Sequence, residues 1–502
     1  MTVPIVSPIF SGKWPGKTAE FLVSAMSSIV FLFLDFLDIL LCVFFKIVDE
    51  FFEGNAGPCY CHNRGEGRAG AIDERGSEVS ETLYGRENVF REMGSVRFPR
   101  KSAGFVKNGG GNGIVGNRWS DCGCESCVSW MSIGDQRLHV VCWIAIEFVF
   151  PLVALEVAHV VVLIRFTDAF GSDCSSRPTE NVIFLHGFLS SSLIWTEMVF
   201  PNLSEPTKRN YRLFAVDLLG FGRSPKPRDC LYTLRDHLEM VEKSVIDAFQ
   251  LSSFHLVAHS MGCIVAVALA AKHSKSVKSI TLLAPPYFMS PKDGASLTAL
   301  RGLADRKLWP PLLFGSAVMA WYEHLGRGVC FLFCRNHRAW EWILKLLTRR
   351  RLPYLGLCDG PPRVEGKTPY SVTLVVKRHN AMQYAPRDLH FMFTDMTRHT
   401  HHSAWHTMHN VICGGAKSMD EFLEALRDSK AKIHVIQGAQ DHVVPVECSS
   451  NIKMKVPQAE VEIIANADHN TIILNREREF TQNLERIWAS TADNKIAARM
   501  LF

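Results

Sequence analysis

Residues 254–273, FHLVAHSMGCIVAVALAAKH, set a serine between two apolar runs with almost no loop to separate them. Phe254, Leu256 and Val257 read as a short buried strand, and 264–271 as a buried helix. Ser260 then stands at the tip of a very sharp turn. The pattern Ala258-His259-Ser260-Met261-Gly262 is small-x-Ser-x-small. Small residues are needed because such a turn presses their Cα atoms against neighbouring backbone. The turn projects the hydroxyl from the sheet edge, beside a helix N-terminus whose dipole favours a developing anion. Ala258 replaces the usual first glycine with the smallest possible side chain.

A hydroxyl is a poor nucleophile without a base, and the base needs an orienting carboxylate. In a strand–turn–helix setting of this kind the order along the chain is Ser, acid, His. Asp441 follows the apolar run KIHVIQ in the loop GAQDHVVP, and His469 follows EVEII in ANADHNTI. Both fall just past expected strand ends, where open α/β sheets place their sites. His442 and Asp468 are adjacent rivals and rank below them. An oxyanion hole needs two aimed N–H donors. Met261 supplies one and Phe188, after His186-Gly187, the other; Gly187 lets backbone approach substrate, and His186 either orders that loop or packs structurally. The expected site is therefore Ser260, His469 and Asp441 with Met261 and Phe188, and it calls for no metal or cofactor. A serine at the turn argues against epoxide hydrolases and dehalogenases, which need an aspartate there.

Around this site, apolar β-like runs at 181–185, 211–217, 277–283, 432–437 and 460–464 alternate with helical patterns, among them 234–249 and a closing helix at 480–488. That alternation predicts an α/β fold, a mostly parallel sheet flanked by helices. The alternation stops between 286 and 431, which reads as an inserted helical cap rich in aromatic residues. The expected core is 119–285 with 432–502. Residues 54–118, rich in Gly, Arg, Glu and Ser, read as a disordered linker.

The first 53 residues carry an apolar run, interrupted by Asp35 and Asp38, that reads as a membrane or signal-anchor segment. Lys13 and Lys17 before it would leave the N-terminus cytosolic and the remainder lumenal or extracellular, and an amphipathic helix lying on the membrane or on the domain is the other reading. Asn202-Leu203-Ser204 is a glycosylation sequon that fits the secretory route. A net charge of +5 over 502 residues is small and argues against nucleic-acid partners. Fifteen cysteines are present. Cys122, Cys124 and Cys127, with Cys59, Cys61 and His62 upstream, allow zinc, disulfides or acylation, but C-x-C-x-x-C is not a standard finger. His399, His401, His402, His406 and His409 cluster without the glutamate of a metalloprotease motif, and packing or headgroup contact is the favoured reading.

HGF at 186–188, DLLGFGRS at 217–224, the Ser260 turn, Asp441 and His469 together resemble the α/β-hydrolase superfamily over about 180–490. More narrowly, HGFLSSSLIWTE at 186–197, DLLGFGRSPKP at 217–227, SAWHTMHN at 403–410 and WSDC at 119–122 resemble the plant BODYGUARD proteins. That resemblance implies an α/β-hydrolase fold with a cap. It also implies a serine hydrolase acting on a lipid-like acyl ester, a lysophospholipid or a cutin-type hydroxyacyl ester, with a role in cuticle formation at the plasma membrane or cell wall. Acyl transfer by the same triad is the enzymatic alternative, and a non-catalytic membrane or wall scaffold is the other. The implied partners are a lipid or acyl-ester substrate and a membrane, with protein partners left open. Two blocks depart from the family pattern and look inserted: an apolar one from 140 to about 178, with a second membrane segment as its alternative reading, and a polar one at 352–390.

Overall fold

The computed structural model describes residues 16–54, 60, 79–84, 88–92, 118–131, 137–146, 153–157, 160–166, 180–306, 308, 311–349 and 393–499. Among them nine strands form one sheet: β1 Val140–Ile146, β2 Val153–Val157, β3 Val160–Phe166, β4 Glu180–Leu185, β5 Tyr211–Val216, β6 Phe254–His259, β7 Val277–Leu283, β8 Lys432–Gly438 and β9 Glu460–Ile464. The order is β2-β3-β1-β5-β4-β6-β7-β8-β9. From β5 to β9 every neighbouring pair is parallel. Only β1–β5 and β2–β3 are antiparallel. The fold is thus the expected α/β sheet. The apolar block from 140 supplies three edge strands, β1 to β3, where a second membrane segment was the alternative; its β-branched, aliphatic composition suits a strand as well as a membrane helix. The polar block at 352–390 lies outside the described residues.

The central strands β4, β5 and β6 are apolar on both faces because both faces are covered. Val182 and Phe184 of β4, Leu213 and Ala215 of β5 and Val257 of β6 pack with Trp195, Phe200 and Trp488. The alternate residues Ile183, Leu185, Phe214, Val216, Leu256 and Ala258 face the opposite layer, which holds the helix Met261–Lys272. This helix is buried from Met261 through Ala270, which explains why it has no polar stripe. After β7 the chain runs through a series of helices, including Ala295–Ala304, Pro311–Trp321, Glu323–Phe333 and His337–Arg349, before it returns to the sheet at β8.

The N-terminal helix, Gly16–Glu53, lies against Glu323–Phe333. Phe31, Leu34, Asp35, Asp38, Ile39, Cys42, Phe45 and Asp49 are buried on its inner face at helical spacing. The carboxylates that interrupt the apolar run make the contact. Asp38 Oδ1 accepts the N–H groups of His324 and Leu325 at 3.0 and 3.2 Å, satisfying donors exposed at the start of Glu323–Phe333. Asp49 takes both arms of the Arg327 guanidinium, at 2.7 and 2.6 Å, and the indole N–H of Trp119 at 2.6 Å. The outer face exposes Leu22, Met26, Ile29, Phe33, Phe36, Leu40, Phe44 and Ile47. Within the expected linker, a short turn at Glu81–Leu83 buries Leu83 beside Trp405.

The sequon is folded into local structure. The Asn202 amide donates to the Met198 carbonyl at 2.7 Å, and the Ser204 hydroxyl caps the helix Glu205–Asn210.

Candidate active site

β6 ends at His259 and the helix begins at Met261, leaving one residue for the turn. Ser260 takes that place with φ 52° and ψ −122°, a conformation costly to a residue with a side chain. Its N–H donates to the Leu283 carbonyl at the end of β7, 2.8 Å away, which helps hold the turn in place. Gly262 is required by contact: a Cβ there would lie 2.6 Å from the His186 carbonyl oxygen and 2.8 Å from that of Leu185.

The loops after β8 and β9 bring their residues to this turn. His469 Nε2 lies 3.0 Å from Ser260 Oγ, and His469 Nδ1 lies 2.8 Å from Asp441 Oδ2. The carboxylate fixes the tautomer: Nδ1–H donates to Asp441 and Nε2 turns its lone pair to the hydroxyl. Asp441 is itself held. Its Oδ1 accepts the N–H groups of Val443 and Val444, both at 2.8 Å, and Gln437 Nε2 donates to Oδ2 at 3.1 Å. Burial alone would raise its pKa, but the bonds from His469, Val444 and Val443 outweigh burial and hold it below the usual value. Of the adjacent rivals, Asp468 is spent on its own turn, accepting from the N–H groups of Asn470 and Thr471, and His442 is exposed.

His186 orders the loop after β4. The Leu218 N–H donates to its Nε2 at 2.9 Å, so Nδ1 carries the proton and donates to the Gly187 carbonyl at 2.7 Å. Burial lowers its pKa and keeps it neutral. Gly187 passes close to the turn, where an added Cβ would lie 3.1 Å from Ser260 Cβ. Phe188 follows it, and Met261 follows Ser260.

Several further residues support this arrangement or lie near it. His259 Nε2 donates to the His469 carbonyl at 2.9 Å, and burial lowers its pKa to about 3, so it remains a neutral prop behind the imidazole. Asp217 accepts the Ser192 and Arg223 N–H groups at 2.6 and 2.9 Å and tethers the loop after β5 to the loop after β4. Asp395 accepts from the hydroxyls of Ser190, at 2.6 Å, and Ser191. The histidines part company: His402 meets the Cys230 carbonyl, His406 the Tyr60 hydroxyl and His409 the Thr82 hydroxyl. His399 turns instead to the sulfurs of Cys330 and Cys334, at 3.4 and 3.5 Å. Cys122, Cys124 and Cys127 converge on His337. Cys59, Cys61 and His62 lie outside the described residues.

A family profile described as alpha/beta hydrolase fold matches residues 180–309. "Probable lysophospholipase BODYGUARD 4" of Arabidopsis thaliana is 45% identical over 483 residues, covering 95% of this chain and 100% of that protein. The chain belongs to the BODYGUARD family. BODYGUARD 5 and BODYGUARD 1 of the same plant, also named as probable lysophospholipases, are 44% and 37% identical, over 96% and 91% of this chain and 99% and 94% of their own lengths. The solved structure of MenH from S. aureus aligns at 15% identity and a TM-score of 0.41, covering 64% of this chain and 97% of that one. By family and by fold, this BODYGUARD-family chain is an α/β hydrolase and a carboxylic ester hydrolase.

Proposed function

We propose that the protein hydrolyses the ester of a lipid-like substrate, a lysophospholipid or a cutin-type hydroxyacyl ester, through an acyl-enzyme on Ser260. The observation that carries this reading is the hydrogen-bond chain from Ser260 Oγ through His469 to Asp441, with links of 3.0 and 2.8 Å. Ser260 Oγ attacks the carbonyl carbon while His469 Nε2 takes its proton, and Asp441 stabilises the imidazolium. The oxyanion of the tetrahedral intermediate is held by the N–H groups of Met261 and Phe188. Collapse breaks the ester C–O bond, and His469 returns the proton to the leaving alcohol. Water, deprotonated by the same imidazole, then releases the acid.

A lipid substrate is supported by the naming of the relatives and by the apolar surface of the segment between β7 and β8, where Met289, Val329, Leu332, Phe333 and Met396 are exposed. We read 286–431 as the cap over a core of 119–285 and 432–502. The exposed apolar stripe of Gly16–Glu53, opposite a face docked through carboxylates, supports a helix lying along a membrane surface. The resemblance extends the reading to cuticle formation at the outer face of the plasma membrane or in the wall.

Fluorophosphonate labelling of the full chain, beside Ser260→Ala and with peptide mapping, tests the reading. Label on Ser260 that disappears in the variant, with fatty acid released from lysophosphatidylcholine or an ω-hydroxyacyl ester, is the expected result. A folded protein that takes no label overturns it.

A further inference from the structure

Four residues outside the Ser260 site meet in a manner that points to a shared cation. The donor atoms of Cys122, Cys124, Cys127 and His337 all lie within 4.8 Å of one another. His337 Nε2 is 3.6 Å from Cys124 Sγ and 3.5 Å from Cys127 Sγ. Tetrahedral zinc, with bonds of about 2.3 Å to sulfur and about 2.0–2.1 Å to nitrogen, sets those two ligands roughly 3.5 Å apart. A single imidazole nitrogen has one proton or one lone pair to offer. A cation among them is ligated by all four groups at once. The other nitrogen supports the same arrangement: His337 Nδ1 is 3.3 Å from the Glu341 carboxylate, one helical turn on. A carboxylate in that position holds the proton on Nδ1 and frees Nε2 to ligate, as in many zinc sites.

The surroundings suit the charge. Three thiolates and a divalent ion sum to about one negative charge. Buried Lys226 shares a small cavity with Cys122, Cys127, Cys334 and His399. Lys226 and Arg398 each lie over the Trp130 ring, 5.7 Å from its centre. Cys330 and Cys334 repeat the sulfur–imidazole spacing around His399 at 3.4 and 3.5 Å, but among the described residues no fourth ligand joins this trio within 4.8 Å.

We propose that Cys122, Cys124, Cys127 and His337 bind one structural zinc ion. The ion pins the segment after the N-terminal helix to the helix His337–Arg349, beside the loop that follows β5. It takes no part in ester cleavage, and its presence or absence is independent of the role given to Ser260.

The test is the zinc content of the purified full chain by elemental mass spectrometry, with non-reducing peptide maps. The expected result is that His337→Ala lowers zinc by one ion per chain, His337→Cys retains it, and His399→Ala leaves that ion in place. In the maps, Cys122, Cys124 and Cys127 resist alkylation until a chelator and denaturant are added together. Unchanged zinc in His337→Ala, no zinc in the parent, or a disulfide joining any two of the three cysteines overturns the proposal. If His337→Ala gives no folded protein, titration of the parent with an organomercurial and a zinc-sensitive dye decides: one zinc released as these thiols react supports it, and none released refutes it.

Discussion

The helix Met261–Lys272 and the helix Gly16–Glu53 are both apolar over most of their length, yet the first is buried on every side and the second on one face only. The first has no acidic residue and serves the site by fixing the turn at Ser260. The second carries Asp35, Asp38 and Asp49 along its inner face, each bonded to a group elsewhere in the fold. Hydropathy alone cannot tell these helices apart. The placement of the carboxylates can: acids repeating on one face of an apolar helix mark the face that meets protein. Membrane interiors penalise such groups, whereas a partner helix terminus or a guanidinium satisfies them.

If the short helix serves chemistry and the long one serves docking, variants around them must fail in different ways. The largest effect is expected at Asp441→Asn, which keeps the size of the side chain but removes the acceptor that sets the His469 tautomer. We expect kcat to fall by roughly four orders of magnitude, about 5 kcal/mol in the transition state, with little change in melting temperature. Steady-state kinetics beside calorimetry reads both. Arg327→Ala should show the reverse. It removes the two-armed partner of the buried Asp49 carboxylate, leaving it Arg118 and the Trp119 indole, and should cost about 2–3 kcal/mol of stability in urea unfolding, while fluorophosphonate labelling of the protein that remains folded persists. Loss of labelling with full stability would erase the distinction between the two regions. Gly262→Ala comes third. Its Cβ would press on the carbonyls of Leu185 and His186, and about 1–3 kcal/mol of destabilisation is expected, with slowed labelling because the same carbonyls lead into the loop after β4 that passes the Ser260 turn.

The sheet and the site were unequally legible. The runs at 277–283 and 460–464 coincide with β7 and β9, because short β-rich runs bounded by turn residues announce strands. Ser260, Asp441 and His469 stand out because each follows such a run directly, so strand order alone brings them to one edge. β1 to β3 are harder to read, since a continuous apolar block looks the same whether it crosses a membrane or pleats into a sheet edge. The helical pattern at 234–249 divides into Leu234–Val241 and a wider turn at Glu242–Ile246, a break that spacing does not announce. His337 is not legible beside Cys127, 210 residues away, because no local pattern records a meeting made by tertiary packing. The docking role of Asp38 and Asp49 is hidden for the same reason.

A smaller effect is expected at Asp395, which joins the segment before β8 to the loop after β4. Burial raises its pKa to about 6, partly offset by the Ser190 and Ser191 hydroxyls. Its proton is therefore held more tightly in the folded chain than in the unfolded one, where an ordinary carboxyl titrates near 3.8. Stability from this group is fully present below the unfolded value and is lost as pH rises through about 6. Asp395→Asn should flatten that descent by roughly 1–3 kcal/mol when melting temperatures of the two proteins are compared between pH 4 and 7. A parallel pair of profiles would mean that Asp395 is ionised throughout.

The smallest effect on stability, and the sharpest test of the comparison, lies on the outer face of Gly16–Glu53. Ile29 and Phe33 are both exposed, one turn apart on this face. Changing both to serine should alter unfolding free energy by no more than about 0.5 kcal/mol each, as for other surface sites. If this face lies on lipid, the same change removes apolar area worth about 25 cal/mol per Å2 from the contact, and binding to phospholipid vesicles should weaken by an order of magnitude or more in a flotation assay. Asp38→Asn, on the inner face, should leave vesicle binding unchanged and lower stability instead, because the groups it meets are the N–H donors of His324 and Leu325. Vesicle binding unaffected by the outer pair would mean that the stripe faces something other than a bilayer. Vesicle binding strengthened by the inner variant would mean that the helix leaves the domain to enter the membrane, and that the docked face is only one of its two resting places.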